Sequence, residues 1–111
     1  MVSLKSEERA MVVISYRIIR EFSEKYPEAK DQSNTWYRIM LQADFANFHE
    51  IKTVFNSADP VGNDRYVFDI KGNKYRLITM IHFNIRTVYI LFAGSHKAYD
   101  KIDASTIKLK K

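Results

Sequence analysis

Three consecutive runs in the second half of the chain, RYVFDI, KYRLITMIHF and TVYILFAG, limit the fold more than any other feature. Each is rich in β-branched and aromatic residues, the types that fit a pleated, half-buried surface. Gly72-Asn73 separates the first two, a tight-hairpin signal, and residues 84–86 separate the second from the third. The pattern predicts an antiparallel meander. The second and third runs are apolar on both alternating faces, which places them at the centre of a sheet covered by helices on at least one side.

The first half has a different period. Residues 11–15, MVVIS, form a short β-like run. Ile18, Ile19, Phe22 and Tyr26 then fall at helical spacing, with Ser15 the expected N-cap and Pro27 the stop. A second helix is predicted over residues 28–43, where Trp36, Ile39, Met40 and Ala43 make one apolar stripe. Asn47 followed by Glu50 has the form of a capping box, opening a short third helix that buries Ile51, Val54 and Phe55. SADPVGND, residues 57–64, reads as turn. Helices followed by a meander define an α+β fold. One domain is expected over residues 11–103. Residues 1–10 read as a flexible extension, with Met11 a candidate start of the folded unit, and residues 104–111 as a frayed tail.

Several functional classes drop out on composition. The chain has no cysteine, which excludes disulfides and thiolate metal sites. No apolar run approaches the roughly 20 residues that span a bilayer, so a soluble, cytoplasmic protein is expected. His49, His82 and His96 have no ligand spacing to one another and no accompanying carboxylate cluster, so no metal is expected. Phosphate-cradling glycine loops and a nucleophile elbow are also missing. The net charge of +5 is unevenly spread. Residues 1–62 carry 8 Lys/Arg against 9 Asp/Glu, a net of −1, whereas residues 63–111 carry 10 against 4, a net of +6. A basic half points to an anionic partner, with nucleic acid the first candidate.

The remaining inventory suits one chemistry. Metal-free RNA cleavage needs a base for the 2′-OH proton, an acid for the 5′-oxygen leaving group, and cations for the charge on phosphate. If SHKAYDK forms one helical turn capped by Ser95, His96 and Tyr99 lie at i,i+3 and Asp100 at i,i+4, all on one face. Asp100 could then fix the imidazole tautomer or stabilise its charged form. The alternative, that Tyr99 packs on the sheet while His96 and Asp100 are merely solvated, stays open on spacing alone. Arg76 and Lys74 share one face of the second strand, with His82 further along it. An Arg among apolar neighbours is costly unless paired or facing a cleft, and Asp69 or Asp100 could pair with it. His82 reads as a satisfied core or edge histidine and His49 as an exposed one. Trp36, Tyr37 and Phe22 read as core. Tyr66, Tyr75 and Tyr89 are expected to pack in strands, with base stacking open to them if they face a groove.

The blocks VFDIKGNKYRLITMI and VYILFAGSHKAYDKID closely resemble the HigB family of bacterial toxin–antitoxin toxins, in the RelE/ParE superfamily. The opening MVVISYRIIREFSEKYPEA and the EIKTVF segment are similar to that family too, so the resemblance spans residues 11–103. It implies N-terminal helices on one face of a small twisted antiparallel sheet, and an mRNA interferase that needs no metal or cofactor. It also implies a HigA-like helix-turn-helix antitoxin as partner, and contact with operator DNA only through the antitoxin complex. The target would be mRNA, on the ribosome or free. The family's recurring polar positions match Asn73, Lys74 and Arg76, and then His96, Tyr99, Asp100 and Lys101. By that match His96 is the proton-transfer residue and Tyr99 a second acid/base or a base-stacking group, with the order of acid and base open, and Arg76 and Lys74 stabilise phosphate. Asn73, Lys71, Lys97 and Lys101 contact RNA, and Asp100 orients His96. Two departures stand out: the ten residues before Met11 lie outside the family pattern, and Asp69 stands where similar sequences often carry Asn. The competing readings are a ParE-like toxin that binds gyrase and a non-catalytic RNA-binding protein. The His96/Tyr99 pair favours the nuclease, since a binder needs no proton-transfer group.

Overall fold

The computed structural model describes residues 10–109, so the first nine residues of the expected extension lie outside it. The chain runs β1 (Val12–Ile14), α1 (Tyr16–Lys25), a 3-10 turn (Pro27–Ala29), α2 (Lys30–Gln42), α3 (Phe48–Val54), β2 (Asp59–Gly62), β3 (Arg65–Ile70), β4 (Tyr75–His82), a 3-10 turn (Phe83–Ile85), β5 (Thr87–Ser95) and α4 (His96–Tyr99). The strands form one sheet in the order β1-β5-β4-β3-β2. The three expected strands are its core, and the α+β architecture holds.

Two edge strands change the picture. β1 lies parallel to β5, with Val12 opposite Thr87 and Ile14 opposite Tyr89, so the sheet is mixed rather than antiparallel. Helices α1, α2 and α3 intervene between these two strands, and local sequence carries no signal for the direction of so distant a pairing. β2 comes from the stretch read as turn. Its Pro60 is tolerated because the strand is an edge, and the register shifts between Pro60 and Gly62, where Gly62 has φ 99°.

Helix ends follow the sequence with corrections. Ser15 precedes α1 but caps nothing; it sits at φ 76° with no side-chain bond to the helix. α2 starts at Lys30 because Pro27 seeds a 3-10 turn first. Asn47 Oδ1 accepts from Glu50 N at 3.1 Å, as a cap should, while Glu50 Oε1 accepts from Ala46 N at 2.8 Å, one residue before the capping-box position.

Alternation along the central strands sorts residues between two cores. Leu77, Ile81, Val88, Ile90, Phe68 and Ile70 face the helices and pack on Ile19, Phe22, Trp36, Met40 and Ile51. Val67, Ile78 and Leu91 face the other way and are buried with Ala104, flanked by Tyr99, Ile102, Ile107 and Leu109. The residues after Asp103, expected to fray, are therefore docked across the outer face as far as Leu109. Asn63 Nδ2 donates to Ser105 O at 2.9 Å, and Arg65 donates to Ile107 O from Nη2 at 2.6 Å and from Nε at 3.2 Å. Apolar side chains at positions 102, 104, 107 and 109 supply the adhesion that the lysine-rich end conceals in a charge reading.

One irregularity sets the phase of β5. Ile78 pairs with Phe92 but Thr79 pairs with Ile90, which leaves Leu91 as an extra residue. Leu91 and Phe92 consequently both lie on the outer face.

Candidate active site

Pairing of β4 with β5 brings the two family-like blocks together. Tyr75 lies opposite Ser95 and Arg76 opposite Gly94, and His96 N donates to Lys74 O at 3.0 Å. Helix α4 follows at once. Ser95 Oγ accepts from Ala98 N at 3.1 Å, so Ser95 caps the turn as its sequence predicts. The turn places His96 Nε2 3.4 Å from Asp100 Oδ2, with the His96 and Tyr99 rings 6.5 Å apart. Tyr99 turns onto the sheet, where the Arg76 guanidinium carbon stands 5.5 Å from its ring centre. Tyr99 therefore packs on the sheet as the open alternative has it, and His96 and Asp100 are both exposed. The tyrosine packs against the one Arg whose charge the site would need.

Arg76 is held on three sides. Nη1 donates to Asn73 O at 2.6 Å and lies 3.3 Å from Asp69 Oδ1, its register partner on β3. The Arg76 side chain is only 13% exposed, which suits a fixed guanidinium better than a solvated one. Among the described residues only Nη1 is hydrogen-bonded, so Nε and Nη2 keep their N–H groups for an anion. Asp69, the departure from the family pattern, is the partner of Arg76; Asp100 belongs to His96.

Lys74 departs from its expected place. It lies in the turn, and its Nζ reaches Glu28 Oε2 at 2.7 Å rather than sharing the face of Arg76. The Tyr75 hydroxyl donates to the same oxygen. The Lys74 and Tyr75 bonds hold the Glu28 carboxyl below its usual range, and the Glu28 bond raises both Lys74 and Tyr75. Glu28 is 46 positions from Lys74, so no spacing signal could have found it. The hairpin turn differs too: the left-handed residues are Lys71 (φ 56°) and Gly72 (φ 67°), one step earlier than Gly72-Asn73 suggests. Gln32 Oε1 accepts from Lys71 N at 2.6 Å and fixes that conformation from α2. Lys71, Lys97 and Lys101 are exposed around this end of the sheet, and Asn73 engages Arg76 through its carbonyl.

The remaining candidates fall elsewhere. His82 sits at the far end of β4, 3.9 Å from Asp64 and edge-on to Tyr89 at 5.5 Å. His49 is exposed on α3, and Tyr66 stacks on Phe48. Among the described residues no three His, Cys, Asp or Glu side chains group to hold a metal ion, and no helix is long and apolar enough to cross a membrane.

A His–Asp pair, a tyrosine and a clamped arginine thus meet at one sheet end of a small α+β domain. Residues 29–102 match the HigB toxin family, described as the RelE-like toxic component of a toxin–antitoxin system. The chain belongs to that family. It is 31% identical over 94 residues to the mRNA interferase HigB of Escherichia coli O6:H1, covering 83% of this chain and 91% of that protein. It is 29% identical over 92 residues to the mRNA interferase toxin HigB of Escherichia coli K12 and to the Shigella flexneri mRNA interferase HigB, covering 81% of this chain and 88% of each.

Proposed function

We propose that this toxin is a metal-independent endoribonuclease that cuts mRNA and so stops translation. The observation that carries the reading is the stacking of Arg76 on Tyr99 beside the His96–Asp100 pair. In the reaction a base removes the 2′-OH proton and the 2′-oxygen bonds to phosphorus. The bond from phosphorus to the 5′-oxygen breaks, and an acid gives that oxygen a proton. His96 and Tyr99 are the two proton-transfer groups. Asp100 orients the His96 ring, and Arg76 offers Nε and Nη2 to the phosphate oxygens. Asn73, Lys71, Lys97 and Lys101 hold the strand. Lys74 acts from its Glu28 pair, as a brace for the hairpin and a weaker phosphate contact.

The partner is a HigA-like antitoxin with a helix-turn-helix domain, and operator DNA is met only through that complex. The setting is the cytoplasm, where the message is. Mapping RNA 5′ ends in cells that express wild type or His96→Ala tests the nuclease. New cuts and growth arrest with wild type, both lost in the variant, are expected. Arrest without new cuts would leave a gyrase-binding toxin instead. Cleavage of purified message with and without ribosomes tells whether the substrate is bound or free.

A further inference from the structure

β1 pairs with β5 only as far as Tyr89, so among the described residues no strand lies beside the outer edge of β5 over residues 91–95. A groove of about 360 Å³ runs there, between that edge and α1, and ends at Ala98 of α4. Its walls include Phe22, Tyr26 and Phe92, and Arg17 and Lys25 of α1 also line it. Phe92 is partly exposed, and the tip of its ring fills the space a Cβ on Gly94 would take, 2.7 Å from that point. Lys25 is exposed, with Nζ 5.6 Å from the Tyr26 ring centre and no carboxylate partner among the described residues. Glu21 also lines the groove, 3.9 Å from Arg17.

We propose that this groove is a nucleotide subsite, taking one base of single-stranded RNA next to the scissile phosphate. The base lies against Phe92 and Tyr26, and its edge meets the unpaired backbone N–H and C=O groups of β5. Lys25 holds the adjoining phosphate. Aromatic faces, a backbone edge rich in donors and acceptors, and rim cations are what unpaired bases need. The volume suits a small ligand. Ser95 and Ala98 belong to both the groove and the His96 turn, so a strand in the groove leads directly to the proton-transfer groups. An extended peptide could also pair with a free strand edge. The rim cations, the aromatic walls and the continuity with the His96 turn favour RNA. This inference rests on the RNase reading for its position, and its test is independent of cleavage.

The probe is a single-stranded oligonucleotide with 2′-deoxy sugars, which cannot be cut, carrying a photoactivatable thio-pyrimidine. Ultraviolet crosslinks are expected on the α1 face around Lys25 and on Phe92. Lys25→Glu should weaken binding about tenfold at low salt, with Lys25→Arg restoring it. On cleavable RNA, Lys25→Glu should raise KM with much less effect on kcat. Phe92→Leu, which keeps apolar volume, should lose crosslinks without losing the fold. Crosslinks confined to other surfaces would overturn the subsite. So would Lys25→Glu keeping full RNA binding while losing its antitoxin, which would make the groove a peptide site. Groove crosslinks in a wild type that cuts no RNA would sustain the subsite and remove the nuclease.

Discussion

Two groups on the same sheet have the same three side-chain types. At one end stand His96, Asp100 and Tyr99; at the other, His82, Asp64 and Tyr89. Both pair an imidazole with a carboxylate, at 3.4 Å and 3.9 Å, and both have a phenol ring close by. The difference is the arginine. At the first end Arg76 is clamped by Asp69 and Asn73, with donors to spare against Tyr99. At the second, Arg65 gives its Nε and Nη groups to the carbonyls of Ile107 and Asn63. On the proposed reading this is what sets the first end apart: a fixed cation with N–H groups left over can meet a phosphate.

The sharpest way to break this comparison is to remove each imidazole. His96→Ala should lower cleavage of an RNA oligonucleotide by about 10²–10⁴-fold, the usual worth of a general acid or base. His82→Ala should stay within a few-fold of wild type, and an equal loss would show that the wrong end has been chosen. Next comes the cation. Arg76→Lys should cost about 10²–10³-fold in kcat even though charge is kept, because an ammonium cannot hold the planar clamp and present two further donors. Circular dichroism should show the variant folded.

Arg65→Ala should do the reverse, leaving kcat alone and lowering stability by about 1.5–3 kcal/mol in urea titrations, as expected for lost charged hydrogen bonds. A fall in kcat at unchanged stability would erase the distinction between the two ends. The smallest effect concerns pH. Glu28 braces the first end and Asp103 the tail at the second, and both carboxyls are held below their usual range. Bonds from Lys74 and Tyr75 cause this in Glu28, and bonds from Ser105 cause it in Asp103. A lowered carboxyl pKa adds stability above the unfolded value, and that stability is lost as pH falls through the folded value. Lys74 is raised, so its share is present below the usual lysine range and lost as pH rises through the folded value. Glu28→Gln should therefore destabilise at neutral pH and converge on wild type in acid. A gap that persists in acid would mean packing rather than charge.

What the sequence made legible is what local chemistry controls. The three strands, the apolar stripes of α1 and α2, and the Ser95 cap of α4 all follow from period and propensity. The candidate residues at positions 73, 76, 96, 99 and 100 could be picked out, and strand pairing gathers them at one sheet end. The misses are non-local. The parallel direction of β1, the strand hidden in the Pro60 segment, the Glu28 partner of Lys74 and the docked tail each depend on residues far away. Ser15 shows a second limit: a good capping type is idle when the chain enters the helix at φ 76°.

The extra residue at Leu91 has a consequence for how β5 can vary. Before it, Val88 and Ile90 face the helices; after it, Ala93 does, and Gly94 falls beside Arg76. Removing Leu91 itself would make the ladder regular and keep the later faces, whereas inserting a further residue there would flip every later side chain and start α4 from the opposite side of the sheet. Substituting one would change only a contact. At this point of β5 an added residue is therefore costlier than a changed one, and an insertion beside Leu91 should be the change that a working copy cannot carry.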